Sequence, residues 1–119
     1  MDDNMHTGSA TLRTTLTGDG TTVVTLSGEL DLLAVIALGP ALDDLTTGPR
    51  PDVMLDLRPV AFVDCCGLGL LCRARNRVHA AGGRLRLTAP GPGFTRLLRH
   101  AGLSDAFDLC QEPVRSIAG

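Results

Sequence analysis

Apolar positions along this chain fall into short alternating runs and longer runs spaced three and four apart, and the two kinds take turns. Ala10 to Thr17 and Thr21 to Ser27 are Thr- and Val-rich stretches on either side of Gly18-Asp19-Gly20. That pattern predicts a β-hairpin closed by a tight turn. Gly28-Glu29-Leu30-Asp31 leads into an apolar segment, Leu32 to Leu45, with Leu38, Leu42 and Leu45 at helical spacing and Asp31 placed to cap it. Gly39-Pro40 interrupts the segment. Either one helix kinks there, or a loose turn precedes a helix with Pro40 at its first position. After the breakers Thr47-Gly48-Pro49-Arg50-Pro51 comes a β-favouring run, Val53 to Leu57, and then Arg58-Pro59-Val60-Ala61-Phe62 carries the chain to Val63-Asp64.

Asp64 is a good N-cap, because its carboxylate accepts from the unpaired N–H groups of a first turn. Leu71, Ala74, Val78 and Ala81 then mark one face of a helix that Gly82-Gly83 ends. Arg84 to Thr88 alternates polar and apolar, a strand with one solvated face. Pro90-Gly91-Pro92-Gly93 opens a helix from Phe94 to His100, and Ala106 to Cys110 reads as a last strand. The order β-β-α-β-α-β-α-β predicts a single α/β domain over residues 10–119. Its mixed sheet has four to five strands, begins with the hairpin and carries its helices mainly on one face. Residues 1–9 are polar and predicted to be flexible.

Composition narrows the class. A chain of 119 residues, 44% of them hydrophobic, suffices for one core and not for two. No apolar run approaches the ~18–20 residues of a membrane span, and Met1-Asp2-Asp3-Asn4 is acidic where a secretory signal would be basic. The expectation is a cytoplasmic protein without membrane insertion. Residues 1–60 hold nine acids against three arginines, and residues 61–119 four acids against eight. The basic half contains Arg73, Arg75, Arg77, Arg84, Arg86, Arg96 and Arg99, but there is no Trp or Tyr to stack on bases and the net charge is −2. Direct nucleic-acid binding is therefore not expected, and these arginines read as solvated faces.

Four cysteines, Cys65, Cys66, Cys72 and Cys110, lack the spacing of a zinc site. Adjacent Cα atoms lie about 3.8 Å apart, too close for the relaxed bridge that prefers about 4.4–6.8 Å, so Cys65 and Cys66 are not expected to pair. His6, His79 and His100 are too scattered to serve a cysteine nucleophile, and Gly67-Leu68-Gly69 lacks the Lys-Ser/Thr ending of a phosphate-binding loop. No catalytic residue, cofactor or metal is assigned. On packing grounds alone, Cys65 and Cys66 are small residues at a tight strand-to-helix junction.

Three ordered stretches carry a resemblance. They are Gly28-Glu29-Leu30-Asp31, Phe62-Val63-Asp64-Cys65-Cys66-Gly67-Leu68-Gly69, and the run from Gly91-Pro92-Gly93 to Ala101-Gly102-Leu103. From about Leu12 to about Glu112 the chain resembles the STAS domain of bacterial anti-sigma factor antagonists. The resemblance implies a regulator that binds an anti-sigma factor which is also a serine-protein kinase, and so frees a sigma factor for transcription. The kinase phosphorylates the first serine of an Asp-Ser-Ser-Gly stretch, and a phosphatase reverses it. Cys65 stands at that position and Cys66 beside it. The partner-facing residues implied are Glu29, Asp31, Asp64, Cys65, Cys66, Gly67 and Leu68.

A thiol is not an equivalent acceptor for a serine kinase, so the ordinary switch is expected to be missing. The chain would then be an antagonist locked in its binding state, a member with a different partner, or one in which thiol oxidation replaces phosphorylation. Nothing local recommends Ser27, Ser104 or Ser116 as substitute acceptors. A STAS module serving a transport or lipid-trafficking complex is the alternative reading.

Overall fold

Thr11–Leu16 (β1) and Thr22–Leu30 (β2) form the expected hairpin, antiparallel from Thr11↔Ser27 to Leu16↔Thr22, in a computed structural model that describes residues 10–110. There follow Leu32–Leu45 (α1), Asp52–Asp56 (β3), Val60–Val63 (β4), Cys65–Ala80 (α2), Arg84–Thr88 (β5), Pro92–His100 (α3) and Asp108–Cys110 (β6). His6, the segment 1–9 and the end of the predicted domain beyond Cys110 lie outside the described residues.

The sheet runs β1-β2-β3-β5-β6, with every pair after the hairpin parallel and β4 also laid against β2. It has six strands where four to five were predicted. The additional strand is β4, which alternation alone does not reveal because it is short and follows Pro59. β2 serves two partners on one edge: Thr22–Thr25 pair with Val53–Asp56, and Gly28–Leu30 with Val60–Val63. Between β3 and β4 a turn closes by donation from the Val60 N–H to the Leu57 carbonyl at 2.9 Å, where Pro59 has no N–H to give a ladder. β2 answers with a register shift at Gly28/Glu29, and Gly28 adopts φ 89, a conformation that glycine takes without a Cβ penalty. Gly28-Glu29-Leu30 is thus strand, beyond the predicted end at Ser27.

Alternate residues of the central strands, Val24, Leu26, Val53, Leu55, Leu85 and Leu87, meet Ala34, Leu38 and Leu42 of α1, Leu71, Ala74 and Val78 of α2, and Phe94 and Leu98 of α3 in one buried cluster. All three helices therefore share one face of the sheet, as the pattern predicts. Each of the fully buried leucines contributes about 1.5–3 kcal/mol through burial. α1 passes through Pro40 without a break, so a helix starting at that residue does not occur. Proline is tolerated because it is exposed, and the carbonyl its missing N–H would have met belongs to the exposed Ile36. α3 begins at Pro92 rather than Phe94, since proline suits a first helical position, and β6 is shorter than predicted at its start.

The arginines are the largest correction. Arg73 donates to both oxygens of Asp43 at 2.9 Å. One turn on, Arg77 donates to the Asp43 carbonyl at 3.0 Å and to the hydroxyls of Thr46 and Thr47 at 3.1 Å each. Arg77 thus satisfies a carbonyl at the end of α1, while Arg73 holds the Asp43 carboxylate beside it. Arg86 pairs with Asp52 at 3.2 Å with a side chain only 12% exposed, and Thr88 is buried, so the polar face of β5 is not simply solvated. Sequence spacing cannot show such pairs, because the partners lie some thirty residues away.

The Arg73 hydrogen bonds hold the Asp43 carboxyl below its ordinary range, against a smaller opposing effect of desolvation. A depressed carboxylate contributes stability above its unfolded value, near 3.9, and loses it as pH falls through the folded value. Arg73→Gln is expected to lower the urea midpoint at pH 7. Below about pH 4 the gap to the parent chain should close, measured by urea titrations across the two buffers.

Candidate functional site

The parallel register Leu30↔Val63 sets the ends of β2 and β4 side by side. The next residue of each chain segment is an aspartate, so Asp31 and Asp64 follow directly on paired strand ends. Both are extended N-caps. Asp31 accepts from the Ala34 N–H at 3.1 Å and Asp64 from the Gly67 N–H at 3.0 Å. The two junctions are tied together by the Asp64 N–H, which donates to the Leu30 carbonyl at 3.1 Å. α1 and α2 therefore start from one corner of the sheet with their positive ends adjacent.

Gly67 allows this closeness. A Cβ built on it would lie 2.0 Å from the Leu30 oxygen and 2.7 Å from the Leu30 Cβ, well inside contact distance. The first turn of α2 consequently rests on the backbone of β2, which raises Cys65 and Cys66 into solvent as the first two residues of the helix.

Of the residues singled out in the sequence, Glu29, Cys65 and Cys66 are exposed, and Asp31 and Asp64 half-buried, all at this corner. Gly67 and Leu68 are buried. They lie beneath the surface, because the helix turns those positions toward the core. Leu32 is 57% exposed, Leu33 49% and Ile36 67%, and Phe62 in β4 is exposed as well. The helical spacing of Leu38 and Leu42 already supplied the signal, since Leu32, Leu33 and Ile36 fall off the buried Ala34-Leu38-Leu42 stripe and are apolar nonetheless.

The corner is poor in chemistry and rich in contact area. Among the described residues, no three His, Cys, Asp or Glu side chains are grouped to hold a metal ion. His79 sits in the last turn of α2, about 21 Å along the axis from Cys65, and His100 ends α3. At that separation His79 does not reach the thiol. Burial pushes the Cys72 thiol up, with the Arg75 charge opposing it. No helix among the described residues is long and apolar enough to cross a membrane.

The class the fold defines is a single mixed α/β domain with three helices on one face of the sheet and two helix starts at one corner. The family model described as Mlab, STAS domain matches residues 14–111, and the chain belongs to that family. Among solved structures, it is similar to an anti-sigma factor antagonist from Mycobacterium paratuberculosis at 27% identity and a TM-score of 0.77, with 92% of each chain covered. It is similar in fold to an anti-sigma-factor antagonist (STAS) domain protein from Planctomyces limnophilus, at 18% identity and a TM-score of 0.74, over 86% of this chain and 91% of that one. The phosphorylated form of SpoIIAA, a Bacillus cell fate determinant, matches at 22% identity and a TM-score of 0.64, over 86% and 93%. No curated protein sequence matches the chain.

Proposed function

We propose that this chain is an anti-sigma factor antagonist that binds a serine-kinase anti-sigma factor at the corner formed by Asp31, Asp64, Cys65 and Cys66 and thereby frees a sigma factor. The reading rests chiefly on the exposed apolar residues Leu32, Leu33 and Ile36 beside the paired caps. A contiguous apolar surface rimmed by carboxylates and cap amides suits a protein partner better than a small substrate. The M. paratuberculosis antagonist supports the same reading. Because Cys65 stands where the family places its phosphoacceptor, the chain stays in the binding-competent state when kinase and ATP are present. It is a binding protein and not an enzyme.

Calorimetric titration of the full chain against the serine-kinase anti-sigma factors of its own cell tests this. One of them should bind, and Ile36→Glu should weaken that binding about tenfold or more, because a charge would be buried in the apolar contact. Equal affinity of parent and variant would remove the surface from the proposal. The second reading is a STAS module of a transport or lipid-trafficking complex, which family membership equally allows. Retention of a transporter subunit, with every kinase failing to bind, would decide for it.

A further inference from the structure

The line that β3 and β4 make along β2 is longer than the strand on its other side. β5 pairs with β3 over its whole length, from Asp52↔Arg84 to Asp56↔Thr88, and the chain then leaves through Ala89-Pro90-Gly91 into α3. The lane beside β4 is left open. Among the described residues, the strand pairing of β4 is to β2 alone.

The Asp64 N–H points to β2, where it reaches the Leu30 carbonyl. In a trans peptide the Val63 carbonyl must then point the other way, and by alternation the N–H and C=O of Val63 and Ala61 face the open lane. The lane is a groove of about 400 Å³, lined on one side by Val60 to Val63 and on the other by Pro90, Gly91, Gly93, Phe94 and Leu97. None of these side chains is charged or polar. The rim on α3 has a definite sign, since Arg96, Arg99 and His100 are exposed and Pro92–His100 contains no acid. Arg96 and His100 follow Gly93 by three and seven residues, on the same face of the helix.

We propose that this groove binds an extended acidic-apolar segment of a partner protein, which adds to β4 as a parallel or antiparallel strand. Its backbone would bond Ala61 and Val63, alternate apolar side chains would fill the groove against Phe94 and Leu97, and a carboxylate would meet Arg96 and His100. The groove runs up to the corner that carries Cys65, since Val63 precedes the Asp64 cap, and it would add a second contact to it.

A displayed library of random peptides about eight residues long, enough to span β4 with a margin on each side, is selected on the immobilised full chain. Enriched peptides should alternate apolar residues and contain Asp or Glu. Added to the labelled chain, they should slow amide hydrogen exchange at Ala61 and Val63 about tenfold or more, and N-methylation of alternate peptide amides should abolish both binding and protection. Gly93→Phe should block binding while leaving the amide spectrum folded, because a Cβ at Gly93 meets nothing within 4 Å. Ile36→Glu should leave peptide binding unchanged, which separates failure here from failure of the antagonist reading. An absence of enriched peptides, or binding that leaves Ala61 and Val63 exchange untouched, would overturn the proposal. So would a concentration-dependent dimer lost in Gly93→Phe, which would assign the lane to a second copy of the chain.

Discussion

Gly67→Ala is expected to destabilise the chain by about 3 kcal/mol, read as a fall in the urea midpoint at unchanged slope. The added carbon would sit 2.0 Å from the Leu30 oxygen and 2.6 Å from the Leu30 carbonyl carbon, both backbone atoms of a central strand. Neither can swing aside as a side-chain tip can, so α2 must lift from β2 and the Asp64 to Leu30 hydrogen bond must lengthen. The neighbouring glycine supplies the control. Gly69 lies in the same helix, and a Cβ there meets nothing within 4 Å, so Gly69→Ala should raise stability by about 0.5–1 kcal/mol through helix propensity. If both substitutions move the midpoint alike, the close approach of helix and strand is not what selects glycine at position 67.

The second large effect is a gain. Cys65→Ser puts a hydroxyl on the exposed first residue of α2, beside the Asp64 cap. Incubated with the cognate kinase and ATP, this variant should acquire about 80 Da in intact-mass analysis, while the parent chain acquires nothing that survives. Phosphorylated, it should lose affinity for the same kinase about tenfold or more. The group brings about −1.5 to −2 charge and considerable bulk to a corner that already holds the Asp31 and Asp64 carboxylates. Should the variant remain unmodified, Cys65 would not stand at a phosphoacceptor position. A phosphopeptide containing Cys65 from the parent chain would equally sink the locked state.

Much of this architecture was legible from residue pattern. Thr- and Val-rich runs about Gly18-Asp19-Gly20 marked the hairpin, an apolar β-favouring run marked β3 and alternation marked β5, while the spacing of Leu38 and Leu42 and of Leu71, Ala74 and Val78 gave two helix faces. The caps Asp31 and Asp64 were legible because an N-cap is a local device, settled within three residues. What escaped depends on distant partners. β4 forms only because the end of β2 is free to receive it, and Val60 to Val63 alone carries too few residues to announce a strand. Arg73 and Arg77 read as solvent-facing charges until the end of α1 comes within reach. The placement of Asp31 and Asp64 at paired strand ends follows from the β2–β4 register, which no local signal encodes. The burial of Gly67 and Leu68 follows from the same packing, so a motif that aligns with a binding surface includes residues that support it from below.

The grip of Arg73 and Arg77 on the end of α1 has a consequence at the opposite end of both helices. In the proposed complex, a partner pressing on Leu32 or Ile36 would load α1 and α2 together, because Asp43, Thr46 and Thr47 bond to Arg73 and Arg77 of the helix that carries Cys65. The two helix starts present themselves as a single preformed template. Association of that kind would require little ordering between the two helix starts, and the entropy lost would fall mainly on the partner.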